Sequence, residues 1–309
     1  MVAGLDIGGT RIKAGLVDEA GRLSRSAAIP TPASLTAFRE ALPPLLARIA
    51  NGAPISGVGI ACKGIIRPED TMVESLPGTL DYLQGYRLAD FLEGQGTVRA
   101  DNDARAALAG ELVFGAAKGK RDVVMLTLGT GVGGGIAKDG RLVFGHGGAA
   151  GHLGHVVVDP LGPYCICGSR GCLETYFSSR AIEFEAMNAI LRGCDSLLRT
   201  RFQDNPTAVT CADVFACARE GDLIARSIFD RAVVCLGAAL AGIMHALDPE
   251  IVILGGQIAV AGEMLFAPLR ADTEQRTKRL LRRAIPIVPA TVDSGVVGAA
   301  SLVMYGEAA

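Results

Sequence analysis

Two similar segments of this chain constrain its fold more than any other feature. Residues 4–17 and 125–137 each contain a short apolar strand, a glycine turn and a second strand that returns as a hairpin arm. Because a repeated unit of this kind indicates a repeated architecture, we expect two related lobes that each offer one glycine turn. Glycine turns also join strands in many other proteins, so neither turn alone predicts a function.

The other segments alternate between strand and helix patterns and predict a mixed α/β fold. The expected strands lie at 2–6, 11–17, 22–29, 55–61, 97–100, 123–128 and 251–254, with two arms at 136–143 after a glycine loop at 129–135. The expected helices lie at 35–49, 87–92, 104–114, 174–191, 211–220, 222–247 and 295–304. Pro43-Pro44 is expected to kink or split the first of these helices.

Composition excludes several classes of protein. Hydrophobic residues make up 50% of the chain and charged residues 20%, which excludes a disordered chain and supports a large core. A net charge of −2 gives no reason to expect nucleic acid or an anionic membrane as a partner. The most apolar stretch, 232–247, is shorter than the ~20 residues of a membrane helix, so a buried helix is expected. No targeting segment is visible and cysteines are sparse, so we expect a cytoplasmic protein.

Both glycine turns are suited to binding phosphate. Gly8-Gly9-Thr10 follows a strand that carries Asp6, and Gly129-Thr130-Gly131 follows a strand that ends at Leu128. Glycine lets backbone N–H groups approach an anion closely. Neither turn fits a P-loop or a dinucleotide fingerprint, because hairpin arms rather than helices follow. Since a carboxylate beside bare phosphate is unfavourable, Asp6 indicates an intervening Mg²⁺, and the turns together predict a nucleotide–magnesium site.

A cluster of metal-ligand residues lies in and beside a loop rich in glycine and cysteine that ends at Gly171. Cys165, Cys167 and Cys172, with His155 before them, offer three thiolates and one imidazole. This set suits tetrahedral Zn²⁺ in a closed structural site, and the intervening prolines and glycines supply the turns. The alternative is a set of buried or redox-active cysteines. With zinc bound, His155 could face a sugar through its second nitrogen, and Glu174 would be anchored near the metal.

In order and type, these motifs resemble the ROK family (repressors, open reading frames and sugar kinases). The resemblance covers nearly the whole chain and rests on Asp6-Ile7-Gly8-Gly9-Thr10, Asn102-Asp103-Ala104 and the segments 128–135 and 155–174. It implies an actin-like, ribonuclease-H-like ATPase fold with ATP and a sugar in the cleft between two α/β lobes. The lobes are expected at 1–118, completed by a helix near 295–309, and at 119–294, which carries the zinc loop. We also expect a homodimer.

The resemblance assigns roles to particular residues. Asn102 would hold a sugar hydroxyl, and Asp103 would accept the proton of the attacking hydroxyl. On the residues alone, the pair could equally cap the helix that follows. The other expected sugar ligands are Gly64, His152, His155 and Glu174. The expected nucleotide ligands are Asp6, Gly8, Gly9, Thr10, Lys13, Gly129, Thr130, Gly131, Gly133, Gly255 and Gly256, although Lys13 could simply be solvated and Gly255-Gly256 could be a plain turn.

Two positions depart from the family pattern. Lys63 precedes Gly64 where the family usually has proline. His152 stands where the family usually has the first glutamate of Glu-x-Gly-His, a residue expected to bind the sugar near its anomeric end. The motifs therefore predict phosphoryl transfer to a hexose and leave several hexoses as candidate substrates.

The function that these features predict is ATP-dependent phosphorylation of a hexose, with glucose converted to glucose 6-phosphate as the leading case. Kinases of N-acylmannosamine, fructose, mannose or allose are alternatives with the same chemistry. A sugar-responsive repressor would need a helix-turn-helix domain, for which there is no room before a motif that begins at Gly4. A catalytically silent sugar-binding protein would not need Asp103 or both glycine turns.

Overall fold

The mixed α/β class is confirmed in the computed structural model, which describes residues 1–76, 78, 80–292 and 295–308. The strands are β1 (Val2–Ile7), β2 (Arg11–Val17), β3 (Leu23–Pro30), β4 (Gly57–Cys62), β5 (Ile65–Arg67), β6 (Met72–Ser75), β7 (Thr97–Asn102), β8 (Val123–Leu128), β9 (Val132–Lys138), β10 (Arg141–Leu142), β11 (Ile251–Gly255) and β12 (Ile287–Pro289). The α-helices are α1 (Leu35–Ala50), α2 (Asp103–Phe114), α3 (Glu174–Phe177), α4 (Ser179–Leu191), α5 (Leu197–Phe202), α6 (Cys211–Arg219), α7 (Leu223–Leu247), α8 (Glu263–Leu281) and α9 (Val296–Ala308). Residues 294 and 309, at the expected lobe ends, lie outside the described residues.

The first sheet has the strand order β3-β2-β1-β4-β7. Strand β1 is antiparallel to β2 and parallel to β4, and β4 is parallel to β7. The strands β1 and β4 are almost entirely buried and apolar, which is typical of strands covered on both faces. Because the three parallel strands run in register, Ile7, Cys62 and Asn102 end at the same edge of the sheet.

Helix α9 approaches this sheet closely because two strand positions carry no side chain. A Cβ atom at Gly4 would lie 2.0 Å from the carbonyl oxygen of Val296, and one at Gly59 would lie 1.8 Å from that of Ala299. Gly298 lets α9 approach α2 in the same way. The C-terminal helix predicted from small residues is therefore packed by close contact between backbones.

The second sheet has the strand order β10-β9-β8-β11-β12, with β11 parallel to β12. Strands β9 and β10 form the predicted hairpin around Asp139 and Gly140, whose φ angles of 54° and 77° suit a tight two-residue turn. In both segments of the predicted repeat, a strand, a glycine turn and a returning strand are present, as β1–β2 and β8–β9.

Contacts divide the chain into two units. Unit 1 consists of Met1–Met125, Gly134–Gly151 and Ala290–Ala309, and unit 2 of Leu126–Gly133 and His152–Pro289. In unit 2, α7 packs against α3, α6 and α8. Within the described part of the chain, α7 is the one helix long and apolar enough to cross a membrane, and 56% of its most apolar stretch is buried inside the protein. The lobe boundary expected after residue 118 stays a prediction.

Three predicted elements differ from the structure. Helix α1 runs unbroken through Pro43 and Pro44, so the predicted split is wrong; both prolines are exposed, so water can bind the carbonyl groups that lose a donor. The helix predicted at 174–191 is divided into α3 and α4, because Ser178 is extended and its side chain caps α4. Strand β9 begins at Val132, so the glycines at 133–135 belong to a strand rather than to the loop.

Candidate functional site

The first glycine turn, Gly8-Gly9-Thr10, joins β1 to β2 and is held by hydrogen bonds to Arg11 and Thr31. The N–H of Gly8 donates to the carbonyl oxygen of Arg11 over 3.0 Å, and Oγ1 of Thr31 donates to that of Gly8 over 2.7 Å. Asp6 on β1 lies directly opposite Lys13 on β2. Opposite residues of an antiparallel pair share one face, so a carboxylate and an ammonium group lie beside the turn. This arrangement can hold a cation between a carboxylate and a phosphate.

Asn102 lies where β7 ends and α2 begins. It is buried and caps α2: its Oδ1 accepts the N–H of Ala104, and its Nδ2 donates to the carbonyl oxygen of Gly64, each over 3.0 Å. Gly64 has a φ of +92°, and a Cβ atom there would lie 2.3 Å from the carbonyl oxygen of Ser75. The structure thus brings Gly64 and Asn102 together and confirms that Asn102 caps the helix.

Asp103 is the first residue of α2 and, unlike Asn102, its side chain is exposed. Its Oδ1 accepts the N–H of Ala104 over 2.9 Å, and the start of a helix favours a negative charge. Asp103 follows the sheet edge at which β1 and β4 also end. Because the amide of Asn102 already caps the helix, capping does not by itself account for the carboxylate of Asp103 at this edge.

A buried ion pair that the sequence analysis did not predict lies behind this junction. Arg105 is 0% exposed, and its Nη2 lies 2.6 Å from Oδ1 of Asp101. Its Nη1 donates to the carbonyl oxygens of Gly148 and Ala150, each over 2.8 Å. Oδ1 of Asp101 also accepts the N–H of Asn102 over 2.6 Å. Burial raises the pKa of Asp101, and the hydrogen bond from Arg105 opposes that rise. The spacing of four residues was the available signal.

The second glycine turn, Gly129-Thr130-Gly131, joins β8 to β9. The N–H of Gly129 donates to the carbonyl oxygen of Gly131 over 3.0 Å, and the carbonyl oxygen of Gly129 accepts the N–H of Ser179 over 2.9 Å. Oε2 of Glu174 accepts the N–H of Val132 over 2.9 Å. A Cβ atom at Gly131 would lie 2.6 Å from this same Oε2. Glu174, an expected sugar ligand, therefore lies against the expected phosphate turn.

Gly256 lies beside the second glycine turn. Its φ is +86°, and a Cβ atom there would lie 2.4 Å from the carbonyl oxygen of Leu128, the residue before the turn. Gly255 ends β11, and Gly133 lies within β9. Gly256 therefore needs to be glycine for a close backbone approach, whether or not it also contacts a ligand.

The four predicted metal ligands, His155, Cys165, Cys167 and Cys172, come together. Their ligand atoms all lie within 4.8 Å of one another. Nδ1 of His155 is 3.5 Å from Sγ of Cys165, and Sγ of Cys167 is 3.6 Å from Sγ of Cys172. Ligand atoms of tetrahedral zinc are separated by about 3.5–3.8 Å, so this donor set fits the metal. Without metal, burial raises the pKa of the Cys172 thiol to about 12, whereas a backbone hydrogen bond from Ser169 lowers that of Cys167.

His152 lies next to this cluster. Its ring stacks on that of His155, with centroids 6.3 Å apart and planes inclined by 13°. Between the two histidines, Gly154 packs against the start of β9, because a Cβ atom there would lie 2.0 Å from the carbonyl oxygen of Val132. Within unit 2, Gly154 and Glu174 thus both contact Val132, the residue after the second glycine turn, and His152 and His155 flank this part of the chain at Gly154.

Comparison with known proteins gives concordant results. The sequence profile of the ROK family matches residues 2–305. The chain is 36% identical to the glucokinase of Thermotoga maritima over 306 residues, which cover 97% of this chain and 96% of that protein. It is 37% identical to the N-acetylmannosamine kinase of Citrobacter koseri, with 96% and 97% of the two chains covered. A crystal structure of a ROK family glucokinase from Streptomyces griseus, in complex with glucose and AMPPNP, superposes with a TM-score of 0.82 at 34% identity and covers 97% of this chain and 98% of that one.

Proposed function

The chain belongs to the ROK family, and we propose that it phosphorylates glucose at the expense of ATP, with Asp103 as the general base. It is a sugar kinase with the actin-like ATPase fold, as the glucokinases that it resembles over nearly their full length support. The observation that carries the role of Asp103 is the strand-to-helix junction. There Asn102 is buried and fixed by Gly64 and Ala104, while Asp103 is exposed at the edge where the parallel strands end.

In the proposed reaction, the oxygen of the sugar 6-hydroxyl forms a bond to the γ-phosphorus of ATP as the bond to ADP breaks. Asp103 accepts the hydroxyl proton, so the products are sugar 6-phosphate and ADP. Asn102 orients a sugar hydroxyl from a side chain that two hydrogen bonds already hold in place. Phosphoryl transfer depends mainly on positioning and charge stabilisation, so a carboxylate with no special activation suffices as the base.

The two glycine turns are proposed to bind the phosphates of ATP with their N–H groups. Asp6, with Lys13 opposite it, is proposed to hold Mg²⁺ beside the first turn. Bound Mg²⁺ would neutralise charge on the phosphate that is transferred. Gly255-Gly256 is proposed to contact the nucleotide as well, because Gly256 lies against Leu128, the residue that precedes the second turn.

His155, Cys165, Cys167 and Cys172 are proposed to hold a structural zinc ion. All four positions of a tetrahedral metal would be filled by protein atoms, so the ion would stabilise the loop without taking part in the chemistry. We expect one zinc ion per chain by elemental analysis of protein purified without chelators, and a metal-free but active protein would contradict this assignment. A homodimer is also proposed, and sedimentation measurements would test it.

The sugar is proposed to contact Asn102, Gly64, His152, His155 and Glu174. N-acetylmannosamine is the second candidate substrate, because the kinase of Citrobacter koseri is 37% identical to this chain. His152 bears on this choice, because a neutral imidazole offers one acceptor and one donor where a carboxylate offers about four acceptor sites. Loss of one such hydrogen bond is worth about 1 kcal/mol, enough to change the order of preference among sugars.

A coupled kinase assay with ATP and Mg²⁺ tests these proposals across glucose, mannose, fructose, allose and N-acetylmannosamine. We expect the highest kcat/KM for glucose. Asp103→Asn should lower kcat by ~10²–10⁴-fold, because the general base is lost while the shape is kept. Sugar binding, measured by calorimetry, should largely survive in this variant. Near-normal turnover of Asp103→Asn would remove Asp103 from the mechanism.

A further inference from the structure

The segment 174–179, which follows the cysteine cluster, is hydrogen-bonded to both ends of the second glycine turn. We propose that Ser179 and Glu174 are positioning residues for this turn, and that they couple the metal-binding loop to nucleotide affinity. We call their two hydrogen bonds, Ser179 N–H to Gly129 and Val132 N–H to Glu174, the turn clamp. The proposal rests on the proposed function, in which this turn binds the phosphates of ATP.

The turn clamp fixes the residues on either side of the phosphate-facing groups. The carbonyl oxygen of Gly129 accepts the N–H of Ser179 over 2.9 Å, which anchors the start of the turn to the first residue of α4. Oε2 of Glu174 accepts the N–H of Val132 over 2.9 Å, which anchors its end to the first residue of α3. Because anion binding needs several N–H groups held in one direction, fixing both ends orders the turn before the nucleotide arrives.

The same segment is tied to the cysteine cluster through a short and rigid connection. Thr175 donates its N–H and its hydroxyl to the carbonyl oxygen of Cys172, over 2.9 and 2.8 Å. Leu173 donates its N–H to the carbonyl oxygen of Val156 over 2.9 Å, and Leu173 and Phe177 are both 0% exposed. A displacement of Cys172 therefore moves Glu174 with it.

The histidine side of the cluster reaches the same point of the turn. Gly154, the neighbour of His155, packs against the carbonyl oxygen of Val132 so closely that a Cβ atom would lie 2.0 Å from it. Val132 is thus contacted on both of its backbone polar groups. Its carbonyl group meets Gly154, the residue before the expected ligand His155. Its N–H binds Glu174, which lies two residues after the expected ligand Cys172. Closing the cluster around a metal ion would hold both contacts together.

Proline at position 179 breaks the turn clamp while keeping the start of α4. Ser179 is the first residue of α4, a position at which proline is favoured because its missing N–H has no partner within the helix. Ser178 is extended, as a residue before proline prefers, and its capping bond to Ala181 is left intact. Ser179→Pro therefore replaces the hydrogen bond to Gly129 by a steric contact between the proline ring and the Gly129 carbonyl oxygen, which forces the two segments apart. Ser179→Ala keeps the N–H and serves as a matched control.

A second control places proline at the start of another helix of unit 2. Leu223 is the first residue of α7, is 83% exposed and follows Asp222, whose backbone is extended. Leu223→Pro should therefore keep the fold and should leave the binding of both substrates unchanged.

Calorimetry with MgAMPPNP and, separately, with glucose gives the readout. We expect Ser179→Pro to weaken MgAMPPNP binding about 3- to 10-fold without changing glucose affinity, since one hydrogen bond is lost. Removing the metal ion of the cysteine cluster with a chelator should weaken MgAMPPNP binding at least as much as Ser179→Pro does. This binding is measured without sugar, and the metal content of the protein is determined in the same sample. A merely structural role would instead lower the melting temperature and weaken both ligands together.

The possible failures are distinguishable. If the wild-type protein does not bind MgAMPPNP, the proposed function is wrong. If it binds and Ser179→Pro equals Ser179→Ala, the turn clamp does not position the turn. If Ser179→Pro loses its helical circular dichroism, Glu174→Ala is tested in its place. The turn clamp requires that Glu174→Ala bind MgAMPPNP more weakly in the absence of sugar. If Glu174 acts in sugar binding alone, the affinity for MgAMPPNP stays unchanged.

Discussion

Replacing Arg105 by methionine tests the buried ion pair behind the proposed catalytic junction. Methionine fills part of the arginine volume but donates no hydrogen bond, so the Asp101 carboxylate loses its counter-charge. The carbonyl groups of Gly148 and Ala150 lose a donor as well. Because removing one partner leaves a buried charge uncompensated, we expect the free energy of unfolding to fall by about 3–5 kcal/mol.

The double variant Arg105→Met/Asp101→Asn separates the charge from the packing. An asparagine Oδ1 can still accept the N–H of Asn102, and no buried charge remains. Among the residues that the structure describes, Oδ2 of Asp101 has no hydrogen-bond donor, so the neutral amide gives up little there. We expect the double variant to be about 1–2 kcal/mol more stable than Arg105→Met, a coupling typical of residues in contact.

Urea unfolding at pH 7, followed by far-ultraviolet circular dichroism, measures the wild type, Arg105→Met, Asp101→Asn and the double variant. Arg105→Lys is the control that keeps the charge but cannot reproduce the fork of donors, and it should fall between the wild type and Arg105→Met. A cost below about 1 kcal/mol for Arg105→Met, or identical stability of the single and double variants, would refute the account of a stranded charge.

Three further predictions concern packing, pH and specificity. Gly59→Ala should lower the free energy of unfolding in urea by at least about 1–3 kcal/mol, because its new Cβ atom would collide with α9. The control Gly242→Ala has no atom within 4 Å of its new Cβ atom and should stabilise α7 by up to about 1 kcal/mol. Equal effects of the two variants would contradict the close approach of α9 to Gly59. Burial raises the pKa of Asp222, but the hydrogen bonds from the N–H groups of Ala225 and Leu197 and from the Ser196 hydroxyl lower it by more, so the pKa lies below its ordinary value of 3.8. The advantage of the wild type over Asp222→Asn, about 1 kcal/mol at neutral pH, should therefore shrink as pH falls below about 4, and an advantage that grows in acid would reverse the sign of this argument. His152→Glu should change the ratios of kcat/KM among the five sugars, and unchanged ratios in both His152→Glu and His152→Ala would show that His152 does not read the substrate.

Local patterns predicted most of the elements that position the site. The apolar strands β1, β4 and β8, the glycine turns that follow β1 and β8, and the cap at Asn102 depend on neighbouring residues, so the sequence shows them directly. Helix α8 was not predicted, because the buried face of this helix is apolar only as far as Leu269. The next buried residues on that face are the polar Thr273 and Thr277. The hydroxyls of these threonines donate to carbonyl groups of the same helix, an arrangement that a hydrophobic pattern does not show.

The contacts that join distant segments could not be predicted. Asn102 donates to a carbonyl group 38 residues earlier in the chain, at Gly64. The turn clamp uses the backbone N–H groups of Val132 and Ser179. Because nearly every residue type has a backbone N–H group, the sequence carries no signal for these hydrogen bonds. By contrast, the grouping of His155, Cys165, Cys167 and Cys172 could be predicted, because the four residues lie in one short segment and share an affinity for metal; the zinc ion itself stays a prediction.

The glycine contacts of α9 have a consequence for how the protein is made. The sheet of unit 1 is finished early in translation, but the helix that fits onto Gly4 and Gly59 belongs to the segment that begins at Ala290. At about 5–20 residues per second, a ribosome needs on the order of 10 to 30 s to pass from Met125 to Ala290. During that interval Val2 and Val17, which α9 later covers, are open to chaperones and to other nascent chains. Unit 1 therefore cannot complete its fold during translation as an autonomous N-terminal domain does. Its fold is complete only after the segment that begins at Ala290 has left the ribosome.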